Sequence, residues 1–131
     1  MNDPAISSGP LVLVADDDPA LRSLFQRALE RSGLRVVLAT NGREALELLE
    51  THDIRVCLFD LNMPNLDGLA TLREIRADHR LRAMPVILVT GSDAESASLR
   101  AIGDGANDCI SKPVGLDELA ARVWAQLPPP H

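Results

Sequence analysis

The feature that most narrows the fold is an alternation of short, unbroken apolar runs with longer segments whose apolar residues recur at helical spacing. Leu11–Val14 is followed by Leu21, Leu24, Phe25, Ala28 and Leu29, and the change of period from run to recurrence marks strand, then helix. Val36–Ala39 precedes Ala45, Leu46, Leu48 and Leu49, and Ile54–Phe59 precedes Leu69, Leu72 and Ile75. A fourth run, Val86–Val89, leads to a weaker, small and polar helix over Ala94–Ile102. Cys109-Ile110 makes a brief fifth strand, and a last helix runs from about Leu116 to Gln126. Strands that are apolar without alternation are those covered on both faces. Five of them interleaved with helices predict a doubly wound α/β domain, with one five-stranded parallel sheet and helices on both faces.

Punctuation residues agree with these boundaries. Asp18-Pro19 suits a helix N-cap followed by the first helical position, Asn41 suits a second cap, and Gly33 suits a helix end. Pro128-Pro129-Pro130 cannot continue the last helix. The chain therefore divides into a tail over 1–10, a domain over 11–127 and a Pro-rich tail or linker stub over 128–131. Met1 favours a free-standing protein and the prolines favour a piece of a longer one.

With 131 residues, of which 46% are apolar and 24% charged, one domain with a real core is expected. A formal net charge of -6 argues against direct nucleic-acid binding, because phosphate backbones need clustered Lys and Arg. Met1–Pro10 has no basic region and the longest early apolar run is Leu11–Ala15. Neither a leader peptide nor a membrane span is read there, and the expected location is the cytoplasm. Cys57 and Cys109 both sit in apolar strands, as small core hydrophobes do. His52, His79 and His131 have no metal-ligand spacing and read as surface residues, whereas Phe25 and Trp124 at helical apolar positions read as core or partner-facing.

The unusual polar residues all follow strands. Asp16 and Asp17 follow the first, Asp60 the third, Thr90 the fourth and Lys112 the fifth. Ligands of open α/β sheets bind beyond the carboxyl ends of the strands, so these residues are the candidate site. If strands one and three are neighbours, three carboxylates meet there. Two carboxylates about 4 Å apart repel by roughly 4 kcal/mol at an effective dielectric near 20, so three together need a cation or must take up protons. Mg²⁺ fits, since it takes oxygen ligands and pairs one or two carboxylates with a phosphate. Asp60 would then serve as a nucleophile toward phosphorus, with the Lys112 ammonium balancing charge and the Thr90 hydroxyl donating to the product phosphoryl group.

Four stretches carry a resemblance: Leu13-Val14-Ala15-Asp16-Asp17-Asp18, Phe59–Gly68, Pro85–Gly91 and Ser111-Lys112-Pro113. From Leu11 to about Gln126 the chain resembles the receiver domains of bacterial two-component response regulators. The resemblance implies the flavodoxin-like strand order 2-1-3-4-5 and a phosphoryl group accepted by Asp60. It also implies Mg²⁺ held by Asp16, Asp17, Asp60 and the Asn62 carbonyl, phosphoryl contacts from Thr90 and Lys112, and a cis Lys112-Pro113 bond. The donor would be a phosphohistidine on a sensor histidine kinase or phosphotransfer protein. In that order Cys57 and Cys109 lie two strand spacings apart, near 9 to 10 Å, which no disulfide spans.

One departure stands out. Receivers usually carry Tyr, Phe or His three residues before the active-site lysine, and here that residue is Cys109 in a chain without Tyr. Cys109 is read as a buried packing residue, with output leaving through displacement between Thr90 and Ile102. Two other classes compete. A haloacid-dehalogenase-type phosphatase needs a second acid two residues beyond the nucleophile, where Asn62 stands, and a flavodoxin-like cofactor binder needs a phosphate loop where Asp16-Asp17-Asp18 would repel phosphate.

Overall fold

Ile54–Asp60, the longest strand, lies at the centre of a five-stranded parallel sheet. The computed structural model describes residues 9–91 and 102–127. Its elements are β1 (Leu11–Ala15), α1 (Pro19–Arg31), β2 (Arg35–Ala39), α2 (Gly42–Thr51), β3 (Ile54–Asp60), α3 (Gly68–Ala77), β4 (Val86–Thr90), β5 (Asp108–Ser111) and α4 (Leu116–Ala125). The order across the sheet is β2-β1-β3-β4-β5, as expected. The helix read over Ala94–Ile102 lies, apart from Ile102, outside the described residues, as do the tail over 1–8, the tail over 128–131 and with it His131.

Each strand sends alternate residues to opposite layers. Leu11, Leu13, Ala15, Cys57, Phe59, Val86 and Leu88 pack with Ala45 and Leu49 of α2 and with Leu69, Leu72 and Ile75 of α3. Val12, Val14, Val56, Leu58, Ile87, Val89 and Ile110 pack with Phe25 and Leu29 of α1 and with Leu119 and Val123 of α4. Two layers of core thus sandwich the sheet, and β1, β3 and β4 are buried throughout except at Arg55. The outer strands differ from the expectation of full cover. Val36, Val37 and Leu38 of β2, with Asp108 and Cys109 of β5, are only half-buried, because each edge strand has a neighbour on one side alone.

Local chemistry fixes the helix starts. The Asp18 carboxylate accepts from the Ala20 N–H at 2.9 Å, with Pro19 opening α1, and the Asn41 side chain accepts from the Glu44 N–H at 2.9 Å. Glu44 in return accepts from the Thr40 N–H at 2.9 Å, and the Asp67 carboxylate accepts from the Ala70 N–H at 2.8 Å. Gly33, just past α1, has φ +103, a left-handed conformation that glycine adopts without a Cβ penalty. Gly42 permits a closer approach: a Cβ there would stand 1.9 Å from Thr71 Oγ1 and 2.5 Å from the Leu66 carbonyl oxygen. Its N–H donates to that same carbonyl at 2.9 Å, tying α2 to the loop after β3.

His52 and His79 are exposed, as read. Phe25 is core, but Trp124 is 40% exposed and its indole N–H donates to Ser32 Oγ at 3.1 Å. Both cysteines are free thiols. Cys57 pairs in register with Val86 and Cys109 with Leu88, so β4 stands between them. Cys109 departs from the expectation of burial: it is half-buried, because β5 is an edge strand. Among the described residues no helix is long and apolar enough to cross a membrane.

Candidate functional site

Register decides which strand ends meet. Ala15 pairs with Phe59, so Asp16 and Asp60 leave adjacent strands at one level. Asp60 pairs with Val89 and Thr90 with Ser111, which puts Thr90 one residue beyond the level of Asp60 and Lys112 one residue beyond Thr90. The sequence placed Asp60 in the turn after β3, whereas it is the last residue of the strand.

One oxygen from each of Asp16, Asp17 and Asp60 lies within 4.8 Å of the others. Their environments differ. Asp16 is 1% exposed and Asp60 6%, while Asp17 is exposed. The Lys112 ammonium stands 3.4 Å from Asp60 Oδ1 and 3.9 Å from Asp16 Oδ2. Asp16 Oδ1 accepts from the Asp18 N–H at 2.9 Å, but Oδ2 is buried without a hydrogen bond. Its distance from Lys112 leaves it an electrostatic neighbour only. Burial pushes the Asp16 carboxyl above the ordinary carboxylate range; the Asp18 N–H opposes this, Asp60 and Asp17 add to it by repulsion, and Lys112 offsets part of it. An orphaned buried carboxylate oxygen beside two further acids is an all-oxygen donor set suited to a hard divalent cation.

The loop after Asp60 is held from several sides. The Leu61 N–H donates to the Val89 carbonyl at 2.8 Å and the Gly68 N–H to the Leu61 carbonyl at 3.0 Å. The Asn62 N–H approaches Asp60 Oδ1 at 3.4 Å, while Met63 is 8% exposed and joins the core on the α2/α3 side. Thr90, 1% exposed, accepts through its carbonyl from the Lys112 N–H at 2.7 Å, and the Lys112-Pro113 bond is cis. Arg22 was not singled out by the sequence. Its guanidinium donates to the Asp16 carbonyl at 2.8 Å, and the only hint was an arginine four residues after Asp18.

This constellation of acids, hydroxyl and lysine on a 2-1-3-4-5 sheet is matched by one family description, "Response regulator receiver domain", over residues 12–124. The chain belongs to the response-regulator receiver family. Among its relatives is the response regulator MprA of Mycolicibacterium vanbaalenii, 38% identical over 116 residues that make up 88% of this chain and 49% of MprA. Another is the DNA-binding transcriptional regulator NtrC of Escherichia coli, 39% identical over 86% of this chain and 24% of NtrC. The chain thus spans about half the length of the first of these relatives and a quarter of the second. Among solved structures, the receiver domain of the Francisella response regulator 1452 superposes with a TM-score of 0.84 at 33% identity, over 90% of this chain and 96% of that one. A response regulator receiver protein of Pseudomonas putida does so with 0.83 at 32% identity, over 90% and 98%. These relatives lend no support to the phosphatase or the cofactor-binder reading. The function is that of a receiver domain in two-component signalling.

Proposed function

We propose that Asp60 is the residue that receives the phosphoryl group, and that Asp16, Asp17, Asp60 and the Asn62 backbone carbonyl hold Mg²⁺ for the transfer. The observation that carries this is the position of the Asp60 carboxylate, buried at the end of the central strand with Lys112 3.4 Å from one oxygen and two further acids beside it. An Asp60 carboxylate oxygen attacks phosphorus of a phosphohistidine, the N–P bond breaks, and the donor imidazole keeps the electron pair and takes up a proton. The Lys112 ammonium neutralises charge on the moving oxygens, and the Thr90 hydroxyl donates to the bound phosphoryl group. Mg²⁺, when bound, supplies Lewis-acid neutralisation of the phosphoryl oxygens.

The donor is a sensor histidine kinase or phosphotransfer protein, and the receiver turns over no separate substrate. Output passes to a further domain or protein, by way of the segment between Thr90 and Ile102. The acidic balance of -6 assigns no nucleic-acid contact to this domain, and its place is the cytoplasm. Incubation with Mg²⁺ and acetyl phosphate should add one base- and hydroxylamine-labile phosphoryl group to wild type and none to Asp60→Asn, read by intact mass. Equal modification of both proteins would remove Asp60 from the role.

A further inference from the structure

We infer that Arg22 is a positioning residue for metal binding, acting through the Asp16 backbone carbonyl; the inference rests on the Mg²⁺ site proposed above. The acid pair occupies a turn between β1 and α1 that must aim two adjacent side chains at one ion. Three contacts hold that turn at Asp16. Its N–H donates to the Ala39 carbonyl of β2 at 3.1 Å. Its Oδ1 accepts from the Asp18 N–H at 2.9 Å. Its carbonyl, beyond the last β1 residue that pairs with β2 and β3, accepts from Arg22 Nη1 at 2.8 Å.

That third contact sets the peptide plane joining Asp16 to Asp17. Asp17 depends on this plane, because its exposed side chain has no hydrogen bond or ion pair among the described residues. Asp16 is fixed by burial and by its own N–H, whereas Asp17 reaches within 4.8 Å of the other acids only through its backbone. Arg22 is in turn fixed on the first turn of α1, where its own N–H donates to the Asp18 carbonyl at 2.9 Å. A charged donor makes this one of the stronger classes of hydrogen bond.

The sign of the effect separates positioning from simple electrostatics. Arg22 brings a positive charge near a cation site, so a purely electrostatic Arg22 would weaken Mg²⁺ binding and its removal would tighten it. A positioning Arg22 has the opposite consequence, and loss of groups that orient metal ligands typically weakens metal affinity by about 10- to 100-fold.

Isothermal titration of the metal-free protein with MgCl₂ tests this on wild type, Arg22→Met and Arg22→Lys, with metal-free thermal melts alongside. Arg22→Met keeps an unbranched stem but no donor, and it should bind Mg²⁺ at least about tenfold more weakly. Arg22→Lys, which retains a charged donor, should recover most of the loss. Should Arg22→Met fail to fold, Arg22→Gln, whose amide is too short to reach the carbonyl, takes its place. Binding by Arg22→Met as tight as wild type or tighter overturns the inference, and so does equal weakening in Arg22→Met and Arg22→Lys. A wild type that binds no Mg²⁺ defeats the metal site itself, a different and prior failure.

Discussion

Replacing Asp16 by Asn removes the charge that this fold accommodates worst. Its Oδ2 lies 3.9 Å from the Lys112 ammonium, an attraction of about 4 kcal/mol at an effective dielectric near 20. Asp17 and Asp60 offer oxygens within 4.8 Å, and each therefore repels it by at least about 3.5 kcal/mol on the same scale. Repulsion of about 7 kcal/mol against attraction of about 4 leaves a penalty near 3, which solvent around the exposed Asp17 reduces. Burial without a hydrogen bond on Oδ2 adds to that cost. Asn keeps the Oδ1 acceptor for the Asp18 N–H, so the turn survives. Metal-free Asp16→Asn should accordingly exceed metal-free wild type in unfolding free energy by about 1–3 kcal/mol at pH 7. Urea melts with and without Mg²⁺ measure it. At a hundred times its dissociation constant a bound ion would add roughly 2.7 kcal/mol to wild type, and the gap should close because the variant lacks one of the proposed ligands. A metal-free Asp16→Asn less stable than wild type would refute the charge-cluster account.

Because the Asp16 carboxyl is raised in the fold, native protein retains its proton at pH values where the unfolded chain has released it. Wild-type stability from this group therefore rises as pH falls from the raised value toward the ordinary carboxylate range. The advantage of metal-free Asp16→Asn should shrink over that window, and urea midpoints that stay parallel between pH 7 and the acid limb would contradict it. Cys57 is fully buried and its thiol is pushed well up by that burial, while Cys109 is half-buried. Native protein should thus show one thiol to Ellman's reagent and two after unfolding, and a native Cys109→Ala that still reacts promptly would reverse the assignment.

The strand ends were legible because apolar runs mark buried strands directly, and Asp16, Asp60, Thr90 and Lys112 each stand where such a run stops. Features created by the edges and by through-space contacts were not. The half-exposure of Cys109 depends on β5 having no outer neighbour, which its apolar surroundings do not reveal. The contrast between buried Asp16 and exposed Asp17 arises from the turn geometry between β1 and α1, since two identical side chains in succession carry no sign of their own. Arg22 and Gly42 were equally silent. One matters through a hydrogen bond to a backbone carbonyl and the other through the space its missing Cβ leaves for Thr71 and Leu66.

Strand parity explains why these particular side chains converge. Val56 and Leu58 face the α1/α4 layer while Cys57 and Phe59 face the α2/α3 layer, so alternation assigns Asp60 to the α1/α4 side. Asp16 follows Val12 and Val14 in the same parity, and Lys112 follows Ile110, all three hydrophobes being in that layer. The approach of Lys112 to both carboxylates, at 3.9 and 3.4 Å, agrees. Thr90 instead has the parity of Val86 and Leu88, and so does Cys109, which packs with them. Lys112 and Thr90 therefore belong to opposite layers of one sheet. A one-residue slip of β3 would turn Asp60 away from Lys112 and expose an apolar side chain in its place. The unbroken burial of Val56–Asp60 opposes that slip, so the core that sets the register also aims the Asp60 carboxylate.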